Sequence, residues 1–256
     1  MVHPAPRLSR WPRTAAFRCR IATDRYDVAV IVGRLREGGA VYDLDPQSPL
    51  FFLSHGRATV GMGQQDPDRY VVEFFEELSM NVALLFGREA GSDPGFMDKW
   101  SLHGGRRWTG ELFAAVGTCQ VFIPLISMPL MQSDWCGREW DAFSRRTVVN
   151  QQSGGVDHET AIVPLLWSPI QAHRVPAVVR EVQLFSPKGL PDSAVAVNYQ
   201  REGLYGLRML GMDSAYRAVI WQLAKRVVEI VGSHWVQPSE LKGPGELRNV
   251  FSEVRT

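Results

Sequence analysis

The amino-acid sequence predicts an α/β fold: an open, flavodoxin-like parallel sheet of five strands with helices on both faces. From Leu50 onward, short apolar runs alternate along the chain with segments of helical periodicity. The apolar runs lack the in-out alternation of half-exposed strands, which is typical of parallel strands buried on both faces. Apolar residues make up 45% of the 256 residues, which is sufficient for a large core.

The predicted elements follow one another in a regular order. The helical segments begin and end at recognisable signals: an Asp-Pro start before the first, Ser133 or Asp134 as N-cap of the third, and Gly117 and Gly232 as stops. The predicted strands are LFFLSH (50–55), GFMD (95–98), QVFIPLIS (120–127), AIVPLLW (161–167) and VQLF (182–185). The predicted helices are 66–86, 108–117, 133–149 and 213–232.

Composition divides the chain into three parts. Residues 1–48 form a basic extension, residues 49–236 the predicted domain and residues 237–256 a C-terminal tail. The extension is rich in arginine and poor in acidic residues, which fits either a loose basic tail or a transit peptide. It has few interleaved aromatic residues, and the net charge of the chain is +1, so no nucleic-acid partner is predicted.

Cysteine and histidine usage suggests the compartment and the cofactors. The three cysteines are an odd number without CxxC spacing, which favours a reducing, cytoplasmic location. The six histidines are scattered, so we expect no metal. The longest apolar runs are too short to cross a membrane, and no membrane association is expected.

The strand ends predict where a ligand binds. Open parallel sheets bind ligands beyond the carboxyl ends of their strands, where the strand order reverses. In a flavodoxin-like order that point lies between the first and third strands. Ser54, His55, Gly56 and Arg57 follow the first strand, and Ser127 ends the third. The helix that follows the third strand lies beside the same crevice.

That helix contains an unusual carboxylate, Glu139 in QSDWCGREWDAF (132–143). Its neighbours three and four positions away are Trp135, Cys136, Ala142 and Phe143, and none of these is basic. Arg138, by contrast, has Asp134 and Asp141 at helical spacing, which predicts a surface charge network. A solvated glutamate is the usual alternative for such a position, but the apolar surroundings favour a functional role.

In this order, the segments FFLSHGR, FMDKWSLHGG, QVFIPLIS and SDWCGREW resemble the motifs of TIR (Toll/interleukin-1 receptor) domains. The last is similar to the family's S-x-W-C-x-x-E pattern. The resemblance covers residues 50–184 well and the last helix more loosely. GLYGLRML (203–210) looks closest to bacterial TIR-like proteins of actinobacterial type.

The resemblance implies one of two functions. Some TIR domains cleave NAD and release nicotinamide, whereas others are assembly modules without activity. We expect a NAD glycohydrolase (NAD nucleosidase) in signalling or defence, and a scaffold module in signal transduction is the alternative. NAD would be the substrate, with no further cofactor. By resemblance, Glu139 is the catalytic residue, and Ser54, His55, Gly56, Arg57, Asp98, Ser127 and Trp135 contact the nucleotide.

The resemblance also implies self-association. Residues 98–105 match the loop through which TIR domains contact one another, so a homo-oligomer is expected. Trp100 and Leu102 are apolar side chains in an otherwise glycine-rich, basic loop, a composition that suits an interface. Both side chains could equally fold back onto the domain.

A single carboxylate is sufficient for NAD cleavage. Ordinary glycosidases use two carboxyl groups, one of which protonates the leaving group. The nicotinamide of NAD carries a positive ring nitrogen and leaves as a neutral molecule, so it needs no general acid. What remains is to stabilise the cationic sugar, which a placed carboxylate does electrostatically. Trp135 would offer a ring face to the nicotinamide cation.

Overall fold

The computed structural model describes residues 44–45, 47–57, 68–87, 93–97, 110–190, 192–241 and 243–252. All of them fall within one compact unit, Ile31–Thr256. The expectations for residues 1–43, for Asp98 and for the loop at 98–105 lie outside the described residues.

Six strands and seven α-helices occur in the described part of the chain. The strands are β1 (Phe51–Ser54), β2 (Gly95–Met97), β3 (Val121–Ile126), β4 (Val148–Asn150), β5 (Leu165–Leu166) and β6 (His234–Val236). The helices are α1 (Arg69–Phe86), α2 (Gly110–Thr118), α3 (Met128–Gln132), α4 (Asp134–Ser144), α5 (Ala177–Arg180), α6 (Ser193–Met209) and α7 (Asp213–Ser233).

Strands β2, β1, β3 and β5 form a parallel sheet in that order. This is the flavodoxin-like order, and the predicted fold class is confirmed. β1 lies inside the sheet, with Phe52 opposite Phe96 on β2 and Phe122 on β3. The predicted strand VQLF is not a strand: Phe185 donates a single backbone hydrogen bond to Pro164 at 2.8 Å, and Leu184 is exposed. The described sheet therefore has four parallel strands.

A two-stranded antiparallel ribbon, β4 with β6, was not predicted. Its first strand comes from residues that the helical pattern assigned to α4, which instead ends at Ser144. The cause is Arg146, whose buried guanidinium donates to the carbonyls of Cys119, Val116, Gln237 and Val236. Those bonds turn the chain inward, and burial lowers the pKa of Arg146.

The alternation of side chains on β1 assigns the helices to the two faces of the sheet. Phe51 packs against Phe75 of α1, with ring centroids 5.8 Å apart. Phe52 points to the other face and stacks on Phe122, which in turn contacts Trp140 and Phe143 of α4. Each buried phenylalanine contributes about 1.5–3 kcal/mol, so these rings set the spacing between β1 and α4.

Candidate functional site

Helix α4 buries Glu139, which is only 7% exposed. The helix begins where the sequence predicts, with the Ser133 hydroxyl accepting a hydrogen bond from the Cys136 N–H at 3.3 Å. A hydrogen-bond partner of Glu139 comes from the sheet. Ser54 Oγ on β1 donates to Glu139 Oε2 at 2.5 Å. This bond explains how a carboxylate is accommodated within an apolar stripe.

Ser54 reaches the helix because of its position on β1. It is two residues after Phe52, so both side chains point to the α4 face of the sheet. The aromatic packing between Phe52, Phe122 and α4 brings the helix close to the strand, and the Ser54 hydroxyl is buried at 2% exposure. The hydrogen bond is therefore built on core packing.

Cys136 lies one turn before Glu139 and reinforces the same contact. Its thiol donates to the carbonyl oxygen of His55 at 3.3 Å. Burial and, secondarily, the nearby negative charge of Glu139 raise the pKa of the Cys136 thiol to about 12. The thiol is therefore protonated at neutral pH and is not an activated nucleophile.

A cavity of about 200 Å³ lies at the carboxyl ends of β1, β3 and β5. Three of the predicted nucleotide contacts, His55, Gly56 and Ser127, line it. Gly56 is required there, because a Cβ atom would lie 2.2 Å from the backbone of Pro129 and Leu130. The other described residues that line the cavity are Asp68, Val71, Leu125, Pro129, Trp167, Ser168 and Tyr205.

The aromatic part of this wall was missed by the sequence analysis. The rings of Trp167 and Tyr205 lie 5.8 Å apart, and Trp167 rests on Phe74 of α1 at 5.6 Å. Gly203 makes this possible: it has a φ of 69°, kinks α6 and approaches the Trp167 carbonyl so closely that a Cβ would lie 2.6 Å from it. The two glycines of GLYGLRML (203–210) are the sequence signal from which this kink could have been predicted.

The cavity and Glu139 lie on different sides of the end of β1. The cavity is bounded by α1 and α6, whereas Glu139 belongs to α4 on the opposite face and is not part of the cavity wall. His55 and Gly56 lie between the cavity and α4: both line the cavity, and the His55 carbonyl contacts Cys136. Next along the chain, Arg57 has two buried guanidinium nitrogens, Nε and Nη2, without a hydrogen-bond partner in the described part of the chain. The strand end thus combines a buried carboxylate, a cation and an aromatic cavity.

Trp135 lies apart from the cavity. It is 43% exposed, and the guanidinium of Arg138 lies 5.3 Å from its ring centroid. Its predicted contact with nicotinamide stays a prediction.

The surface charge network predicted around Arg138 was wrong for Asp141, which is buried at 3% exposure. Asp141 forms an ion pair with Arg145 and accepts a hydrogen bond from the Arg248 N–H at 2.8 Å. Arg248 belongs to the C-terminal segment, residues 243–252, which covers the outer face of α4. Phe251 of this segment packs on Trp140 with ring centroids 5.8 Å apart.

Two further kinds of feature are absent from the described residues. No group of three or more His, Cys, Asp or Glu side chains there could hold a metal ion. No helix in that part of the chain is long and apolar enough to cross a membrane.

The family model of the TIR domain matches residues 81–191. No curated protein and no solved structure matches the chain. The matched range contains Asp98, Ser127, Trp135 and Glu139 of the predicted site, and it begins after Ser54–Arg57. The match and the flavodoxin-like order of the sheet together support a TIR domain in this chain.

Proposed function

We propose that this protein is a NAD glycohydrolase that cleaves the bond between nicotinamide and ribose. The observation that carries the proposal is the buried carboxylate of Glu139, held by Ser54 at 2.5 Å beside the carboxyl end of the central parallel strand. A buried carboxylate at the ligand-binding edge of an open sheet is costly to the fold unless it serves a ligand or a buried partner.

Cleavage of NAD requires few catalytic groups, because nicotinamide leaves without being protonated. As the C–N bond breaks, its electron pair goes to the positive ring nitrogen and nicotinamide leaves as a neutral molecule. Positive charge develops on the ribose, and the Glu139 carboxylate stabilises it electrostatically. Water then adds its oxygen to the ribose carbon and releases a proton, which gives ADP-ribose. Burial strengthens the carboxylate's field because less water screens it.

The site has parts that suit the rest of the dinucleotide. The pyrophosphate of NAD is anionic, and Nε and Nη2 of Arg57, which have no hydrogen-bond partner among the described residues, are donors of the kind that phosphate accepts. The cavity of about 200 Å³ is smaller than the roughly 300–1,000 Å³ of usual ligand pockets, so it suits one ring and not the whole molecule. Trp167 and Tyr205 would provide stacking faces for that ring.

The alternative is a TIR module that assembles without turnover. The exposed ring of Trp135 favours it, because aromatic side chains are enriched at protein interfaces. We also propose that the protein self-associates, that it is cytoplasmic, and that it is related to actinobacterial TIR-like proteins. Self-association and NAD cleavage are compatible, so the activity assay decides between enzyme and scaffold.

The test is nicotinamide release from NAD by the purified full-length protein, separated by chromatography. We expect turnover by the wild type and a loss of about 10²–10³ in kcat for Glu139→Gln, which keeps size but removes charge. Its melting temperature should stay the same or rise, because a buried carboxylate costs stability. Glu76→Gln, an exposed mid-helix glutamate on α1, is the matched control and should be fully active. Absence of turnover by the wild type would favour the scaffold.

A further inference from the structure

We infer that Ser54 is a positioning residue that holds the Glu139 carboxylate in its reactive orientation, and not a contact to the nucleotide. This inference rests on the proposed NAD cleavage. His55 and Gly56, the residues directly after it, line the cavity, but Ser54 does not. Its hydroxyl is buried and points to α4 on the other face of the sheet.

The strand makes Ser54 a fixed reference point. It is the last residue of β1 and pairs with Pro124 of β3, in a strand that has a neighbour on each side. A serine side chain has one rotatable bond before its oxygen, whereas glutamate has three and loses more rotamer freedom when it is ordered. The hydroxyl therefore selects one orientation of a carboxylate that could otherwise adopt several.

Helix α4 is anchored independently of this hydrogen bond. Trp140 and Phe143 pack on Phe122 of β3, and the Cys136 thiol donates to the His55 carbonyl. Loss of the Ser54 hydroxyl should therefore leave the helix in place and remove a hydrogen bond that orients the Glu139 carboxylate. The charge remains available, but its average position relative to the ribose becomes less favourable.

Because the helix stays in place, loss of the Ser54 hydroxyl should affect kcat and not the binding of NAD. A misplacement of about 1 Å at a reacting centre can cost 10²-fold in rate. Ser54→Ala should lower kcat by about 10- to 100-fold and change KM by less than about twofold, because the groups proposed to bind NAD are untouched. An interaction lost only in the transition state lowers kcat without raising KM.

Two further variants separate positioning from general damage. Ser54→Thr retains a hydroxyl and should keep more of the activity than Ser54→Ala. Ser79→Ala is the matched control, since it removes from α1 a buried hydroxyl that has no hydrogen-bond partner in the described chain. It should leave kcat unchanged.

The deciding experiment is a double-mutant cycle of Ser54→Ala and Glu139→Gln. Steady-state NAD cleavage and thermal unfolding are measured for the wild type, the two single variants and the double variant. If Ser54 acts through Glu139, the double variant has the kcat of Glu139→Gln alone. An additional loss in the double variant, or a raised KM with unchanged kcat in Ser54→Ala, would overturn the inference and leave the proposed function standing. No cleavage by the wild type would overturn both.

Discussion

Helix α4 carries two buried carboxylates, and its inner and outer faces hold them by different contacts. On the outer face, Asp141 is bound by the guanidinium of Arg145 and by a backbone N–H of the C-terminal segment. On the inner face, Glu139 accepts a hydrogen bond from the hydroxyl of Ser54. A guanidinium compensates the charge of its partner, whereas a hydroxyl orients a carboxylate through a directional hydrogen bond.

The different contacts of Asp141 and Glu139 indicate different roles for the two buried carboxylates. The contacts of Asp141 tie the C-terminal segment to the helix, and Phe251 and Asn249 of that segment pack on Trp140 and Gly137. Asp141 therefore serves the fold. The contact of Glu139 orients a carboxylate at the edge where open sheets bind ligands, which suits the proposed NAD cleavage. Substitution of Glu139 should therefore lower activity, whereas substitution of Asp141 should lower stability.

The largest effect on stability is expected at the outer face. Asp141→Asn removes the charge that Arg145 and the Arg248 N–H bind, so it should lower the free energy of unfolding by about 1–3 kcal/mol. Urea unfolding followed by circular dichroism would measure it. Asp134→Asn, an exposed aspartate on the same helix, is the control and should cost less than about 1 kcal/mol. Equal costs at both positions would remove the distinction between the buried and the exposed aspartate.

A smaller effect is expected on the opposite face of the sheet. Trp167→Leu keeps apolar packing against Phe74 but removes the proposed stacking face of the cavity. It should raise KM for NAD by about 3- to 10-fold, equivalent to about 0.5–1.5 kcal/mol, with little change in kcat. Tyr205→Phe, which keeps its ring, should retain the wild-type KM. A fall in kcat at unchanged KM would assign Trp167 to the reaction and not to binding.

The smallest effect concerns a third carboxylate, Asp157, beside the β4–β6 ribbon. The hydrogen bond from Asn150 and, to a smaller extent, the hydrogen bond from His234 lower the pKa of Asp157 to about 2. A depressed pKa stabilises the fold at neutral pH, and this contribution is lost as the pH falls from about 4 to about 2. Asp157→Asn should therefore lower the melting temperature at pH 7, and the deficit should shrink towards pH 3. A deficit that is the same at both pH values would contradict this cause.

The sequence analysis predicted those parts of the molecule that depend on local pattern. The strands at 51–54 and 121–126 and the start of α4, for which Ser133 or Asp134 was the expected N-cap, follow from apolar periodicity and helix signals. The crevice residues His55, Gly56 and Ser127 follow from the rule that strand ends meet at one edge.

The features that the sequence analysis missed depend on contacts between distant segments. The bond from Ser54 to Glu139 joins residues 85 positions apart. The pairing of Trp167 with Tyr205 requires the kink at Gly203, and the β4–β6 ribbon requires Arg146 to turn inward. No periodicity within one segment encodes such contacts, because each partner has an ordinary local pattern.

We propose that the inner carboxylate of α4 takes part in NAD cleavage, whereas the outer one stabilises the fold. The most direct test measures nicotinamide release per folded molecule and the free energy of unfolding on the same preparations of Glu139→Gln and Asp141→Asn. We expect a crossed result: Glu139→Gln loses about 10²–10³ in kcat at undiminished stability, whereas Asp141→Asn is less stable but turns over NAD within about threefold of wild type. Parallel losses of activity and stability in both variants would contradict it.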